Sequence, residues 1–269
     1  MKGAVVLKLG GELLEDGEGT QAIARVVARA ARSTKLVVVH GGGKEIDAAL
    51  AEASIPRQQV DGLRITDAAT LDVVVEVLAG AINTRFVAAI NAAGGRAVGL
   101  TGADAGVMEV KPARPHRAAN GELVDLGLVG EPVPGVGAPL VEVLCRNGFI
   151  PVLSSIGASR EGRLFNVNAD TLAGSLAARL KATRLIIAGG TAGVLDSNGR
   201  TISRLNGSAI DELVSSGTAT AGMVAKLRAC RAAHDSGVRD IAIADGRSAK
   251  LAALIKGTAS HSGHWTRLA

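Results

Sequence analysis

A chain of 269 residues that is 47% hydrophobic can bury a substantial core, in one large domain or in two lobes. Aromatic residues make up 1% of it, which argues against the aromatic platforms that bind single-stranded nucleic acid. The net charge of +5 comes from scattered basic residues, so we expect a solvated arginine-rich surface, a few lysines kept for an anionic small substrate, and no nucleic acid partner.

No stretch approaches the unbroken apolar length of a membrane span, and the N-terminus carries Lys2 and Lys8 without an apolar signal-like segment. We therefore expect a soluble, cytoplasmic protein that does not bind a membrane. The two cysteines, Cys145 and Cys230, lack metal-like spacing and lie in apolar helical patterns. This predicts two reduced, packed thiols.

The first half of the chain predicts strands that alternate with helices, as in a parallel α/β sheet. Predicted strands cover residues 3–8, 35–39, 96–100 and 149–153, and predicted helices cover 21–31, 44–55, 67–80, 81–93 and 136–147. A short hairpin is predicted over 59–66, with Thr66 as the N-cap of the next helix. Between 103 and 135 the helical period is lost, which predicts a β-hairpin excursion that covers the site.

The second half continues the alternation. Residues 154–157 predict a turn, and Asn168 is the predicted N-cap of an alanine-rich helix that ends near residue 180. Further strands are predicted over 184–188 and 241–244, the latter closing the sheet, and further helices over 208–216 and from about 223 to 235. The tail 257–269 has no assigned structure. The whole pattern predicts an α/β fold, a three-layer αβα sandwich with a mainly parallel central sheet.

Glycine turns follow three of the predicted strands. Gly41, Gly42 and Gly43 stand between an apolar strand and a helix, Gly10 and Gly11 follow Lys8, and a third cluster spans 189–193. Such turns let the backbone approach a ligand and direct free N–H groups towards an anion. Two of them beside a lysine predict a phosphoryl-transfer site.

Other phosphate and catalytic motifs do not fit. None of the glycine turns has the Walker spacing, and Gly10 and Gly11 lack the GxGxxG spacing of a dinucleotide fold. The sequence also gives no indication of a serine nucleophile paired with a histidine. His40 precedes a glycine turn, where we expect it to hold loop geometry, and the spacing of the other histidines predicts no metal site.

Five ordered motifs resemble the N-acetyl-L-glutamate kinase family of the amino-acid kinase superfamily, and the resemblance spans nearly the whole chain. They are Lys8-Leu9-Gly10-Gly11, His40-Gly41-Gly42-Gly43, Gly62-Leu63-Arg64-Ile65-Thr66, Asn166-Val167-Asn168-Ala169-Asp170 and Gly222-Met223-Val224-Ala225-Lys226. The resemblance implies the amino-acid kinase fold, with an N-terminal lobe over 1–165 for substrate binding and dimerisation and a C-terminal lobe over 166–269 for ATP. The implied reaction is ATP-dependent phosphorylation of the γ-carboxylate of N-acetyl-L-glutamate, in arginine biosynthesis.

The resemblance also implies roles for single residues. Lys8 matches the transition-state lysine, Lys226 the lysine on the leaving-phosphate side, and Asp170 the carboxylate that holds both. On the substrate side the implied contacts are Gly42, Gly43, Arg64 and Asn166. On the nucleotide side they are Gly10, Gly11, Gly190, Thr191, Gly193, Thr220 and Met223, with Met223 only packing beside the nucleotide.

The chemistry suits this set of side chains. A carboxylate with a pKa near about 4 is already ionised at neutral pH, so the transfer requires no general base. The obstacle is the approach of two anions and the charge on the transferred phosphoryl group, for which lysines are suited. Arg64 can bind an α-carboxylate through two nitrogens. We expect Mg²⁺ to be carried mainly by the nucleotide, without a metal site on the protein.

Each residue taken alone also has a structural explanation. Lys8 could be a surface charge at a strand end, Arg64 part of a hairpin salt bridge, Asp170 a charge at a helix N-terminus and Asn166 a turn residue. Only their occurrence together in the family order favours the functional interpretation.

The chain departs from the family pattern around the nucleotide. The turn that begins at Gly189 lacks the usual aspartate and looks one residue longer, and Ala225 stands where proline is common. These differences concern nucleotide contacts, and they leave Lys8, Arg64 and Asp170 unchanged.

The resemblance also bears on assembly. Arginine-inhibited hexameric members carry an extra helix before the first strand, whereas almost nothing precedes Val5 here. An arginine-insensitive homodimer is therefore the expectation. The apolar helix predicted over 67–80 is a candidate interface, with core packing as the alternative.

Two other functions stay open at this point. One is the related kinase that acts on α-aminoadipate or glutamate attached to an acidic carrier protein, which the pI near 9.6 would suit. The other is a ligand sensor that keeps the fold without catalysis, for which the altered turn after Gly189 is the only support.

Overall fold

The structure is a computed structural model that describes residues 3–118, 121–135, 137–215, 221–259 and 265–268. The strands are β1 (Ala4–Leu9), β2 (Lys35–His40), β3 (Gln59–Val60), β4 (Leu63–Arg64), β5 (Ala97–Leu100), β6 (Val110–Pro112), β7 (His116–Arg117), β8 (Leu123–Val124), β9 (Gly130–Pro132), β10 (Ile150–Ser154), β11 (Ile156–Ala158), β12 (Leu164–Asn166), β13 (Arg184–Gly189), β14 (Arg204–Leu205), β15 (Ile241–Asp245) and β16 (Trp265–Leu268). The helices are α1 (Gly17–Ala31), α2 (Gly43–Glu52), α3 (Ala68–Val75), α4 (Asn83–Ala92), α5 (Pro139–Arg146), α6 (Ala169–Arg179), α7 (Gly207–Ser215), α8 (Ala221–Asp235) and α9 (Leu251–Lys256).

One sheet of eight strands organises the fold, in the order β14-β16-β15-β13-β1-β2-β10-β5. The strands from β15 to β5 run parallel, while β16 is antiparallel to β15 and carries β14 at the edge. Their apolar, β-branched sequences suit a sheet that is covered on both faces. The predicted α/β sandwich with a mainly parallel sheet is confirmed. The sheet does not close at β15 as the sequence predicted, because β16 in the unassigned tail extends it.

Two hydrophobic clusters, one on each face of the sheet, form the core. Alternate residues of β1 contribute to them: Val5, Leu7 and Leu9 belong to the first cluster and Val6 to the second. The first cluster includes residues of α1, α2, α3, α4 and α9, and the second those of α5, α6, α7 and α8. Lys8 follows Leu7 in this alternation, so it lies on the face that α6 and α8 cover.

A continuous helix from Ala68 to Ala92 joins α3 and α4 through a π-helical segment, Glu76–Ile82. Asp67, rather than Thr66, is its N-cap, since the Asp67 carboxylate accepts the N–H of Thr70 at 2.8 Å. The helix has 25 residues and a mean hydropathy of 1.7 in its most apolar window, so it could cross a membrane by length and composition alone. Its buried side chains pack on the first cluster, which is the placement of a core helix.

In the described part of the chain, the other eight strands form four small antiparallel pairs. The β3–β4 hairpin turns at Asp61 and Gly62, whose φ angles of 46° and 76° favour a tight two-residue turn. The excursion predicted over 103–135 contains β6 paired with β9, and β7 paired with β8. Ile156 and Gly157, which were predicted to lie in a turn at 154–157, belong instead to β11 and pair with Asn166 and Phe165 of β12.

Candidate active site

The three glycine turns meet at one edge of the sheet, because β1, β2 and β13 are adjacent and parallel. Backbone hydrogen bonds link the strand ends: the Gly41 N–H donates to Leu9 O at 3.3 Å and the Gly10 N–H donates to Ala188 O at 2.8 Å. A Cβ on Gly11 would lie 2.8 Å from the Cα of Gly42. The first two turns therefore touch backbone to backbone, which only glycine allows at position 11.

Lys8 and Asp170 form a buried ion pair at this edge. The Nζ of Lys8 lies 2.9 Å from Oδ1 of Asp170, and both side chains are 8% exposed. Asp170 stands in the first turn of α6, whose N-cap Asn168 accepts the N–H groups of Asp170 and Thr171 at 3.0 Å. The cap fixes the start of the helix, so the carboxylate that holds Lys8 is attached to a rigid element.

Lys226 approaches the same edge from α8. A Cβ built on Gly189, at the end of β13, would lie 3.6 Å from Cε of Lys226. Lys226 has no ion pair with any residue in the described part of the chain. Cys230, one turn further along α8, is buried, and its pKa is raised by burial and by the charge of Asp170. The structure thus brings Lys8, Asp170 and Lys226 into one region, although they are far apart in the sequence.

A cavity of about 210 Å³ lies beside the first two turns. Its lining includes all four residues that the sequence assigned to the substrate: Gly42, Gly43, Arg64 and Asn166. It is a site built from α2, the β3–β4 hairpin and β12, segments that are far apart in the chain. The cavity contains room for one small molecule, and Gly42 in its lining contacts Gly11 of the turn that follows Lys8.

Arg64 is held on one side only. Its Nη2 donates to Asp47 on α2 and, at 3.4 Å, to the carbonyl of Gly43. Its Nη1 is buried and has no hydrogen-bond partner among the described residues. Asn166 donates from Nδ2 to Oγ1 of Thr66 at 3.2 Å. The arrangement leaves a guanidinium nitrogen for a ligand carboxylate.

The third turn involves two side chains that the sequence reasoning missed. The Gly190 N–H donates to Oε1 of Glu12 at 3.0 Å, and Nη2 of Arg247 donates to the Glu12 carbonyl at 2.8 Å. The only sequence signals were an acid directly after Gly11 and the Asp-Gly-Arg turn after β15. An anion that binds the Gly190 amide would have to displace the Glu12 carboxylate.

Four further residues were predicted on the nucleotide side, and the structure describes three of them. The Thr191 hydroxyl donates to the Gly193 carbonyl at 3.3 Å, and Gly193 has a φ of +110°, which favours glycine. Met223 packs against the second cluster. Thr220 lies outside the described residues.

In the described part of the chain no three His, Cys, Asp or Glu side chains group as metal ligands, and the expectation that Mg²⁺ arrives on the nucleotide stays a prediction.

His40 is a buried, neutral support of the second glycine turn. It is 0% exposed, its Nδ1 lies 3.3 Å from the Gly41 carbonyl, and its Nε2 has no partner among the described residues. Burial lowers the pKa of His40 from 6.5 to about 4. The unfolded chain therefore binds more protons between these two pH values, so that stability is lost as the pH falls through this window.

We expect the wild type to lose about 2 kcal/mol more unfolding free energy than a His40→Asn variant between about pH 7.5 and about pH 5. Urea unfolding at both pH values measures the difference. The comparison with His40→Asn removes the contribution of all other titrating groups. Parallel pH dependence in the two proteins would show that His40 is not buried in its neutral form.

The site combines glycine turns around a lysine, at the carboxyl edge of a parallel sheet, with a small cavity and a free guanidinium nitrogen. A small-molecule phosphotransferase requires these features. The comparison with known sequences agrees. The chain belongs to the amino acid kinase family, whose sequence pattern matches residues 3–245.

Individual members of the family are similar to this chain over most of its length. The acetylglutamate kinase of Dinoroseobacter shibae is 42% identical over 245 residues, which cover 91% of this chain and 82% of the relative. That of Stutzerimonas stutzeri is 40% identical over 248 residues, 90% of this chain and 82% of the relative. The solved structure of smu.665 from Streptococcus mutans matches with a TM-score of 0.79 and 27% identity, over 91% of this chain and 96% of that chain. The resemblance read from the five motifs is confirmed.

Proposed function

We propose that this chain is an acetylglutamate kinase, which transfers the γ-phosphoryl group of ATP to the γ-carboxylate of N-acetyl-L-glutamate in arginine biosynthesis. The observation that carries the proposal is the contact between the turn after Lys8 and the turn that borders the cavity. It supports a substrate site directly beside a phosphate site. A reaction between a bound carboxylate and a phosphoryl group needs such adjacency.

The substrate side is the N-terminal part of the chain, residues 1–165, completed by Asn166. Arg64 binds the α-carboxylate through its free nitrogen, while Asn166 and the amides of Gly42 and Gly43 hold the rest of the molecule. The γ-carboxylate then faces the turn of Gly10 and Gly11. Two like charges must approach each other here, so backbone N–H groups and the Lys8 ammonium serve to offset their repulsion.

In the chemical step, an oxygen of the γ-carboxylate attacks the γ-phosphorus of ATP. The bond from that phosphorus to the bridging oxygen breaks, and ADP leaves with the electron pair. No proton is transferred, because the carboxylate is ionised at the start and the product is an acyl phosphate. Lys8 stabilises the charge on the transferred group, and Asp170 holds the ammonium in place.

The nucleotide side is the C-terminal part, residues 166–269, with the turn of Gly10 and Gly11. Lys226 stabilises the charge that develops on the leaving phosphate. The other proposed contacts are Gly190, Thr191, Gly193, Thr220 and Met223. Mg²⁺ bound to the nucleotide supplies further charge neutralisation at the phosphates.

The test is acyl-phosphate formation, trapped as the hydroxamate with hydroxylamine, from purified protein, MgATP and N-acetyl-L-glutamate. We expect turnover with N-acetyl-L-glutamate, and none with unacetylated glutamate or α-aminoadipate. Folded protein that forms no hydroxamate from N-acetyl-L-glutamate would overturn the proposal. Activity only on a carrier-bound substrate would favour the related carrier-dependent kinase, and ligand binding without any turnover would favour a sensor.

We also propose that the enzyme is a cytoplasmic homodimer. The helix Ala68–Ala92 buries one side in the core and leaves small residues such as Gly80, Thr84 and Ala88 exposed on another. This face adjoins β5, the terminal strand of the sheet, across a groove of about 430 Å³. An uncovered apolar helix next to an unpaired strand edge is typical of an interface between subunits.

Light scattering after size-exclusion chromatography tests the dimer. We expect the wild type to have twice the chain mass of 27.1 kDa, and an Ala88→Glu variant to approach the monomer mass because a charge is placed on the shared face. Ser33→Glu, at an exposed position after α1, is the control and should remain dimeric. A wild-type protein that elutes as a monomer at micromolar concentration contradicts the proposal.

A further inference from the structure

One carboxylate connects the substrate cavity to two arginines. Asp47 lies on α2, and its Oδ1 accepts a hydrogen bond from Nη2 of Arg64. Its other oxygen, Oδ2, lies 2.9 Å from Nη1 of Arg57. Arg57 in turn donates from Nη2 to Oε1 of Gln59 at 2.7 Å. Each oxygen of Asp47 is therefore used by a different guanidinium group.

The ion pair with Asp47 fixes the orientation of Arg64. The Arg64 side chain is 8% exposed, and the contacts of Nη2 with Asp47 and with the Gly43 carbonyl hold one edge of the guanidinium group. The group is planar, so fixing one edge also fixes the direction of the other nitrogen. That nitrogen, Nη1, is buried without a hydrogen-bond partner among the described residues, and the side chain lines the cavity.

Arg57 changes the charge of this group of residues. Arg64 and Asp47 alone would form a neutral pair, and a neutral pair attracts a carboxylate weakly. With Arg57 on the second oxygen, the three side chains have a net charge of one positive unit. Since the Arg57 side chain is 56% exposed, its own charge is well solvated and screened, whereas the Arg64 side chain is 8% exposed and lines the cavity.

We propose that Asp47 is a positioning residue, supported by Arg57, which aligns the free nitrogen of Arg64 on the α-carboxylate of the substrate. Asp47 thereby sets the preference for acyl amino acids that carry this carboxylate, without contacting the substrate itself. The inference deepens the proposed function and rests on it.

The experiment compares two competitive inhibitors in the wild type and in an Asp47→Asn variant. N-acetyl-L-glutamine carries the α-carboxylate and lacks the reacting one, while 4-acetamidobutanoate lacks only the α-carboxylate. Although the variant gains one positive unit of net charge, we expect the inhibition constant of N-acetyl-L-glutamine to rise about 10-fold or more, since the misalignment of the charge-assisted contact with Arg64 outweighs that attraction. That of 4-acetamidobutanoate, and the KM for MgATP, should stay within about twofold.

Two further variants separate positioning from general damage. Glu45→Gln removes another carboxylate of α2, which pairs with Arg85 at 2.8 Å, and should leave both inhibition constants unchanged. Arg57→Gln keeps the contact of Asp47 with Arg64 and should weaken N-acetyl-L-glutamine by about threefold through the lost charge. If Asp47→Asn does not fold, Arg57→Gln carries the test by itself.

The inhibition experiment can fail independently of the test of the proposed function. Wild-type turnover of N-acetyl-L-glutamate decides whether the kinase assignment stands. With that turnover present, an equal loss of affinity for both inhibitors in Asp47→Asn would mean that Asp47 only supports the local fold. No loss for either inhibitor would mean that Arg64 needs no alignment, and both results overturn the inference.

Discussion

Replacing Lys8 by methionine is expected to lower kcat by about 100- to 1,000-fold while the KM for N-acetyl-L-glutamate changes by only a few-fold. Methionine keeps the length and apolar stem of the side chain and removes its charge. The proposed contacts that bind the substrate in its ground state are with Arg64 and Asn166, which line the cavity and are unchanged in the variant. In the proposed mechanism the ammonium of Lys8 stabilises the charge on the transferred phosphoryl group, so the loss should appear in kcat.

Steady-state kinetics of hydroxamate formation measures this effect. Lys44→Met is the matched control, because Lys44 is also next to a glycine turn in the sequence but is 75% exposed and pairs with Glu15 at 3.1 Å. It should keep kcat within about twofold. A Lys8→Met enzyme that retained a tenth of the wild-type kcat would exclude Lys8 from the charge neutralisation.

Replacing Asp170 by asparagine is expected to lower the free energy of unfolding by about 3–5 kcal/mol. The Lys8 and Asp170 side chains are both 8% exposed, and the variant leaves the lysine buried without its counter-charge. Removing one partner of a buried pair costs more than the pair contributes, because the remaining charge has lost both water and partner. Activity should fall as well, since Lys8 is no longer held.

Chemical denaturation of four proteins tests the coupling: the wild type, Lys8→Met, Asp170→Asn and the double variant. We expect the double variant to be more stable than Asp170→Asn, because it contains no unpaired buried charge. Additive losses in this cycle would indicate that the two groups do not stabilise each other. The activity of the double variant should stay low, which separates the stability effect from the catalytic one.

The structure gives the ambiguous single residues definite environments. Lys8 is not a surface charge at a strand end but a buried partner of Asp170. Arg64 does form a salt bridge, with Asp47 of α2 rather than within the hairpin, and its Nη1 is buried without a hydrogen-bond partner among the described residues. The salt bridge and the predicted substrate contact are therefore compatible, because a guanidinium group has several donors and one ion pair does not use them all.

The sequence misplaced one helix cap and missed several strands, and contacts with other segments explain these differences. Thr66 and Asp67 are both good N-cap residues, and the position of the cap was decided by Thr66 being buried against the strand of Asn166. The pairing of β11 with β12 could not be read from the sequence, since each strand has three residues and no amphipathic pattern. Likewise, the tail strand β16 gains its order from pairing with β15.

The sequence by itself determined the class of fold and the family, because apolar strands, amphipathic helices and glycine turns are local features, and five motifs in order are specific. It also predicted that two of the glycine turns, together with a lysine, form a phosphoryl-transfer site. Only the tertiary structure decided which side chains touch there. The pairing of Lys8 with Asp170, the bond from Gly190 to Glu12, and the two arginines on Asp47 join residues far apart in the chain. Such contacts depend on helix packing and strand register, which no local pattern encodes.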